Sequence, residues 1–344
     1  MPGLLWEENV DLQAYNTFNI KSTARYLVRI RSPSELAELV ALPQFQSNRQ
    51  LILGGGSNIL FGTDRFNGVI VKNEIQGIEV VSEDHRHTCL RVGGGVGWTS
   101  LVNYCIDQDL GGLENLSMIP GTVGAAPIQN IGAYGVELGD VLLSVEVCDL
   151  GTGDMRTMTK EDCALGYRDS IFKHTSMVLM VCFVTIKVTK AQFHRVTINY
   201  ASMQHALQEK GITAPTIRSV SEIVCLMRRR KLPDPTVLGN AGSFFKNVIC
   251  DQSIRNTLQQ MHADIPWISK LDGRCIIPAA WLIEKYGWKG RQIGRAGVYF
   301  GHALVLVNLG GAQGSEILSL SEAISQDIRI NMGLLLKPEV NIVK

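Results

Sequence analysis

The sequence predicts a mixed α and β fold cut into two or three domains. Three observations carry that expectation. Short alternating or apolar runs empty into glycine clusters, helix-start signals follow strand-like runs, and 344 residues exceed what one core normally organises. A chain of this length buries roughly three quarters of its unfolded surface and needs no cross-links.

The elements follow in order. Ala24 to Ile30 alternates like a strand. Ser32-Pro33-Ser34-Glu35 then opens a helix: Ser32 can cap, Pro33 suits the first turn, and Glu35 completes a capping box. That helix is expected to reach about Leu42. Gln50 to Leu53 is a short buried strand running into Gly54-Gly55-Gly56-Ser57-Asn58. Val69 to Val71 and Leu90 to Val92 are further strands, the second followed by Gly93-Gly94-Gly95-Val96-Gly97. A helix from Thr99 to about Asp109 is expected to stop at Gly111-Gly112. Near the C-terminus Ile317, Leu320, Ile324 and Ile328 form one stripe of a helix over 315–331. Gly333 ends it, and a strand is expected from Leu334 to Val343.

Charge and cysteine usage exclude several classes. A net charge of +1 gives no support for nucleic-acid binding. The one basic run, Arg228-Arg229-Arg230-Lys231, reads either as a solvated helix end or as a local phosphate clamp. The 8 cysteines show no C-x-x-C spacing and sit mostly among apolar neighbours, as reduced thiols of a cytoplasmic protein do. No metal site is expected. Met1 to Asp11 carries acids and no apolar h-region, and no run of about 18 apolar residues predicts a membrane span.

Four stretches carry chemistry. Neither glycine cluster completes a dinucleotide fingerprint, because Ile59 and Trp98 stand where the last glycine is required. No P-loop is present either. Gly54 to Asn58 can still form a nest of N–H groups around a pyrophosphate, or be a set of tight turns. Ser117 to Gly135 is nearly free of charge and rich in small residues, with Gln129 and Asn130 adjacent. It suits a large flat ligand, or a buried crossover. Gly166-Tyr167-Arg168-Asp169-Ser170-Ile171-Phe172-Lys173 surrounds Arg168 with apolar neighbours. A buried arginine needs an anion, supplied either by Asp169 or by a substrate carboxylate. Gly239-Asn240-Ala241-Gly242-Ser243-Phe244-Phe245-Lys246-Asn247 places a hydroxyl, amides and a cation among small residues and rings. There Phe244 and Phe245 can wall a ligand from water. Ser243 lacks the G-x-S-x-G elbow of a serine hydrolase.

These runs, with Pro338-Glu339-Val340, occur in one order over nearly the whole chain, and together they resemble the UDP-N-acetylenolpyruvoylglucosamine reductase family. The resemblance implies an α+β protein: an FAD-linked oxidase-type (PCMH-like) two-lobed flavin domain plus a separate α+β substrate-binding domain. Residues 1–230 would hold the flavin, in lobes of about 1–75 and 76–230 with a core of about 17–192. Leu232-Pro233-Asp234-Pro235 would be a stiff linker to a substrate domain at 236–332, and 333–344 would return Glu339 to the flavin. The reductant is NADPH and the substrate an enolpyruvyl sugar linked to UDP.

Site residues follow from the same resemblance. FAD would meet Gly54, Gly55, Gly56, Ser57 and Asn58, then Ile119, Pro120, Gly121, Thr122, Gly124 and Ala125, and then Ile128, Gln129, Asn130 and Gly132. Ala125 and Ala126 stand where relatives often carry serines, so backbone N–H groups remain there. No histidine lies in the first glycine loop, so the FAD is expected to be noncovalent. The reaction adds hydride to the vinyl carbon and builds negative charge beside a carboxylate. Arg168 would hold that carboxylate, and Ser243 would donate the proton. Glu339 would help only when protonated or through a shared proton, which requires a raised pKa from burial or a like-charge neighbour. Tyr200, in Thr197-Ile198-Asn199-Tyr200, matches the diphosphate-covering tyrosine of the family's larger type. Lys231, Asn247, Tyr134 and His302 are further substrate candidates. A monomer is expected. The competing readings are another flavin oxidase on this fold and a sugar-nucleotide binder without activity.

Overall fold

The computed structural model describes residues 4–269 and 273–344. The first three residues of the acidic N-terminal stretch, and 270–272 within the 236–332 substrate-domain range, lie outside them. The chain forms two compact units. One comprises the described part of Met1–Val10 with Ala24–Gly55 and Asn67–Arg229; the other comprises Asp11–Thr23, Gly56–Phe66 and Arg230–Lys344.

Two sheets build the first unit. One runs in the order Trp6–Asp11, Thr23–Ile30, Arg65–Asn73, Arg49–Leu53, its last two strands parallel. The other is antiparallel, in the order Met155–Thr159, Leu142–Asp149, Leu179–Lys190, His87–Gly93, Ile78–Glu83. Ser32 caps the helix Pro33–Val40, its hydroxyl accepting from Glu35 N at 3.2 Å. The helix stops short of Leu42 because Leu42 precedes Pro43 and is extended (φ −82°, ψ 122°), and one more turn, Pro43–Gln46, follows. The helix Trp98–Asp107 also ends differently from expectation. Its left-handed residue is Asp109 (φ 52°), a type that tolerates this region, while Gly111 joins Leu110 in a strand against Leu179–Lys190. Buried side chains of the helix, such as Leu101 and Val102, pack on Leu90, Val184 and Ile186 of the second sheet in one apolar cluster. Helices Ala201–Glu209 and Ile217–Lys231 close on each other through Met203, Leu207, Val220 and Val224.

The second unit is built on the antiparallel order Gly239–Ser243, Val305–Asn308, Ala296–Val298, Gln292–Ile293. Ile317, Leu320, Ile324 and Ile328 of the helix Gly314–Met332 are buried in its core, as the stripe predicts, and Gly333 takes the left-handed cap (φ 66°). The expected strand 334–343 is largely irregular. Only Asn341–Val343 pairs, parallel to Ile59–Phe61, with an isolated bridge from Phe245 to Pro338. Pro338 has no N–H to give a ladder.

A continuous 1–230 region does not describe this division. Thr17 N donates to Gly56 O and Asn240 N to Thr17 O, so 11–23 and 56–66 are knitted into the C-terminal unit. No helix among the described residues is long and apolar enough to cross a membrane.

Candidate functional site

Each unit gathers its own share of the predicted residues. In the first, the loop at Gly54–Gly55 lies against Gly121–Ala125. A Cβ on Gly54 would sit 2.5 Å from Thr122 Oγ1, and one on Gly55 would sit 2.7 Å from Gly121 Cα, so only glycine allows this approach. Thr122 Oγ1 is buried without a hydrogen-bond partner. Lys72, which no sequence motif singles out, holds the loop by donating to Gly54 O at 2.5 Å. Burial lowers its pKa, Glu74 opposes and Arg29 adds to the lowering.

Val123–Ala125 and Pro127–Gln129 are two short 3-10 turns, and Asn130 ends the second in the left-handed region (φ 44°). The Asn130 amide is spent internally, on Glu137 Oε2 (2.7 Å), Gly166 O (3.2 Å) and an N–H from Gly139 (2.9 Å). Its side chain braces the loop, with both amide hydrogens engaged within the protein. The carbonyls of Ile128 and Gly132 are likewise engaged, by Ser170 Oγ and by Arg168 Nη2, both at 2.6 Å.

Arg168 sits in a tight turn closed by Gly166 and Asp169, with φ 52°. Its guanidinium lies 5.4 Å from the Tyr167 ring, and Lys173 Nζ donates to its carbonyl at 3.0 Å. A Cβ on Gly132 would come 3.1 Å from Arg168 Nη1, so that glycine gives the arginine its place. Asp169 holds His174 Nε2 at 2.8 and 2.9 Å. Tyr134 is left-handed too (φ 49°), and its ring meets that of Tyr200 edge-on at 6.2 Å. Tyr200 is 50% exposed and precedes the first residue of Ala201–Glu209.

Arg228, the first residue of the basic run 228–231, joins this group. Its Nε is buried without a hydrogen-bond partner, and no carboxylate pairs with it among the described residues. Burial lowers its pKa, and Arg168 adds to the lowering, while Tyr134 and Cys225 oppose. Burial raises the Tyr134 pKa and Arg228 opposes. The signal was helical spacing: Val220 and Val224 are buried, and 228 continues that row.

The second unit brings Ser243 and Glu339 onto adjoining backbone. Ser243 pairs with Val305 after an irregularity at 240–243, where Gly242 takes φ 69°. Glu339 N donates to Phe244 O at 2.7 Å, and Lys246 N to Lys337 O at 2.9 Å. Asn58, expected at the cofactor, donates to Glu339 O at 3.3 Å and accepts from Asn341 N at 3.0 Å, tying this same segment. Gly56 permits another close passage, since a Cβ there would overlap Tyr15 O. Phe244 and Phe245, 0% and 2% exposed, are core side chains stacked edge-on at 5.1 Å rather than walls open to a ligand. Asn247 Oδ1 caps Ala279 N (3.0 Å), a structural duty the sequence did not show. His302 Nδ1 accepts from Leu304 N (3.2 Å), and burial, Lys231 and Lys289 lower its pKa while Glu284 opposes. Lys231 is exposed at the end of its helix.

The first unit fits FAD on two counts: the loops at 54–55 and 121–125 expose backbone at close range, and the lone Thr122 hydroxyl suits a phosphoryl oxygen. Comparisons with known proteins agree. An FAD binding domain profile matches residues 24–159, and the profile of the UDP-N-acetylenolpyruvoylglucosamine reductase C-terminal domain matches 234–343. The chain is 44% identical over 339 residues to the UDP-N-acetylenolpyruvoylglucosamine reductase of Amoebophilus asiaticus, covering 98% of this chain and 99% of that one. It is 42% identical over 336 residues to the Pseudomonas aeruginosa enzyme of the same name, covering 98% of each. The crystal structure of the Thermus caldophilus reductase superposes with a TM-score of 0.69 at 23% identity, over 99% of this chain and 100% of that one, which shows the shared fold. With family-level identity along its whole length, the chain belongs to the UDP-N-acetylenolpyruvoylglucosamine reductase family.

Proposed function

We propose that Arg168, Ser243 and Glu339 act on the substrate in the reaction of this family. That reaction is the FAD-mediated, NADPH-dependent reduction of UDP-N-acetylglucosamine enolpyruvate to UDP-N-acetylmuramate in peptidoglycan precursor synthesis. When bound, FAD supplies hydride taken from NADPH. The rest is left to the protein: to hold an anionic substrate, to bear the charge that grows beside its carboxylate, and to place one proton.

Arg168 meets the first two demands. Its fork grips a carboxylate, and the attraction strengthens as charge develops, so the interaction favours the transition state over the ground state. Arg228, whose Nε is buried and which pairs with no carboxylate among the described residues, adds to the same positive field. Ser243 delivers the proton to the carbon adjacent to the carboxylate. A serine hydroxyl is a weak acid, but that carbon is a strong base at this stage. Glu339 serves as a hydrogen-bond donor to the carboxylate in its protonated form. The observation that carries this reading is the 2.7 Å hydrogen bond from Glu339 N to Phe244 O, which sets the glutamate beside the strand end that bears Ser243.

Substrate recognition falls to Tyr200 and Lys231 at the diphosphate, the pattern of the family's larger type. Asn247 contributes through its amide nitrogen, since phosphate oxygens only accept. Tyr134 and His302 complete the set. We also assign the protein to the cytoplasm as a monomer; its cysteines are all unpaired thiols, as a reducing compartment requires.

Anaerobic half-reactions test the residue roles. In Ser243→Ala, NADPH should bleach the flavin at the normal rate. Reoxidation by the enolpyruvyl sugar nucleotide should slow by about 10²–10⁴-fold. Equal slowing of both steps would remove Ser243 from the proton transfer.

A further inference from the structure

We infer that Asn115 is a positioning residue that sets the two tyrosines of the first unit, Tyr134 and Tyr200, against each other. The inference rests on the reading that these rings face the sugar nucleotide. Asn115 lies in the 3-10 turn Glu114–Leu116 and is 0% exposed. Its Nδ2 donates twice, to Tyr134 O at 3.0 Å and to Thr197 O at 2.8 Å. One buried amide therefore ties two segments distant in sequence, and each of those segments carries a tyrosine. The two rings then meet at 6.2 Å.

Both tied segments need a tether. Residues 195–199 have no regular secondary structure, and no ladder or helical hydrogen bonds define their path; backbone bonds hold the segment only at its ends, where His194 N donates to Lys190 O and Ala191 O and Tyr200 O accepts from Met203 N and Gln204 N. Tyr134 holds a left-handed backbone, φ 49°, which is strained for a non-glycine residue and persists only where its surroundings impose it. Gly135 follows at φ 84°, and a Cβ there would lie 3.5 Å from the Tyr200 ring and 3.6 Å from Thr197 Cγ2, so the turn and the segment are in close register.

The preceding residue secures the other end of the same segment. Glu114, 3% exposed in its side chain, holds His194 Nε2 at 2.5 Å with Oε1 and the Gly112 N–H at 2.7 Å with Oε2. His194 lies over Gly111, where any Cβ would overlap its ring. Burial alone would raise the Glu114 pKa, but the hydrogen bond and charge of His194 with the Gly112 N–H outweigh it, and the pKa is lowered. Two consecutive side chains on one turn thus fix His194 and Thr197, three positions apart, and Tyr200 follows three positions later. Val196 and Ile198 add only partly buried apolar contacts. Asn115 supplies the sole side-chain hydrogen bonds to the Tyr134 and Thr197 carbonyls among the described residues.

The test uses the FAD-loaded full-length enzyme. In Asn115→Ala, tryptic cleavage after the exposed Arg195 should accelerate as the segment loosens, while Tyr200→Ala should leave it unchanged; an unaltered cleavage rate in Asn115→Ala overturns the inference. Kinetically, Asn115→Ala should raise KM for the enolpyruvyl sugar nucleotide about tenfold, a loss typical of a directly coupled contact, with the NADPH half-reaction unchanged. The double variant with Tyr200→Ala should be no worse than Tyr200→Ala alone, and additive losses would count against action through Tyr200. Should Tyr200→Ala keep its KM while Asn115→Ala still loosens 194–200, the substrate role of Tyr200 fails and the tether stands. If Asn115→Ala does not fold, Asn115→Ser keeps one donor and should give an intermediate cleavage rate and KM.

Discussion

The two units hold their proposed chemistry by different means. Around Arg168 the backbone is forced: Asn130, Tyr134 and Arg168 are non-glycine residues at φ 44°, 49° and 52°. Side chains spent on carbonyls keep them there, Arg168 on Gly132 and Asn115 on Tyr134. Around Ser243 the left-handed position is a glycine, Gly242, and the serine ends a strand anchored by two buried phenylalanines. The first arrangement stores strain of about 1–3 kcal/mol per residue. The second relies on packing. Substitutions should therefore fail in different ways: by backbone energy in one unit and by cavities in the other.

The largest stability effect should come from the packed side. Phe244 is fully buried, 6.3 Å from Phe18 and 5.1 Å from Phe245, edge-on to both. Phe244→Ala removes a ring from this cluster and should cost about 3–5 kcal/mol. Urea unfolding followed by tryptophan fluorescence should show the loss, since Trp288 belongs to the same core and Trp267 packs against it. A cost near zero would mean that packing does not anchor the Ser243 strand.

A smaller effect should expose the strain. Arg168→Ala and Arg168→Gly both remove the guanidinium, and both should abolish turnover equally. They differ only at φ 52°, which suits glycine and not alanine. The glycine variant should be the more stable by about 1 kcal/mol, after the extra freedom of unfolded glycine is deducted. In an ordinary helix or strand the order would be reversed. If alanine is the more stable here, the turn is not strained and the contrast between the units dissolves.

Such strain was not legible in the sequence. The 3.6-residue stripe at Ile317, Leu320, Ile324 and Ile328, the Ser32 cap and the strand before Gly54 were all visible, because each is a local pattern with a local cause. Arg168 and Ser243 are singled out by motif resemblance alone, and their roles are proposals. Long-range consequences were hidden. Nothing in Gly-Leu-Glu-Asn says that Asn115 reaches Thr197, nor does Asn130 announce that Glu137, Gly139 and Gly166 will use up its amide. Arg228 lay hidden in a run of four cations, and only the helical row from Val220 separates it from its solvated neighbours. Residues 11–23 and 56–66 belong with the C-terminal unit through backbone bonds that no local pattern encodes.

The smallest effect should come from His302, where the packed unit meets titration. Burial, Lys231 and Lys289 hold its pKa below the ordinary 6.5, and its Nδ1 must be unprotonated to accept from Leu304 N. The unfolded chain binds a proton as pH falls through 6.5, whereas the folded chain refuses it until a lower pH. Stability linked to this residue is thus present above 6.5 and is lost as pH falls from there toward the depressed folded value. His302→Gln keeps an acceptor for Leu304 N without a proton to bind. Thermal melts above and below pH 6.5 should show a shallower acid loss in the variant than in the natural protein. The same acid loss in both would mean that His302 titrates as freely folded as unfolded, and that its buried place in the second unit imposes no charge state.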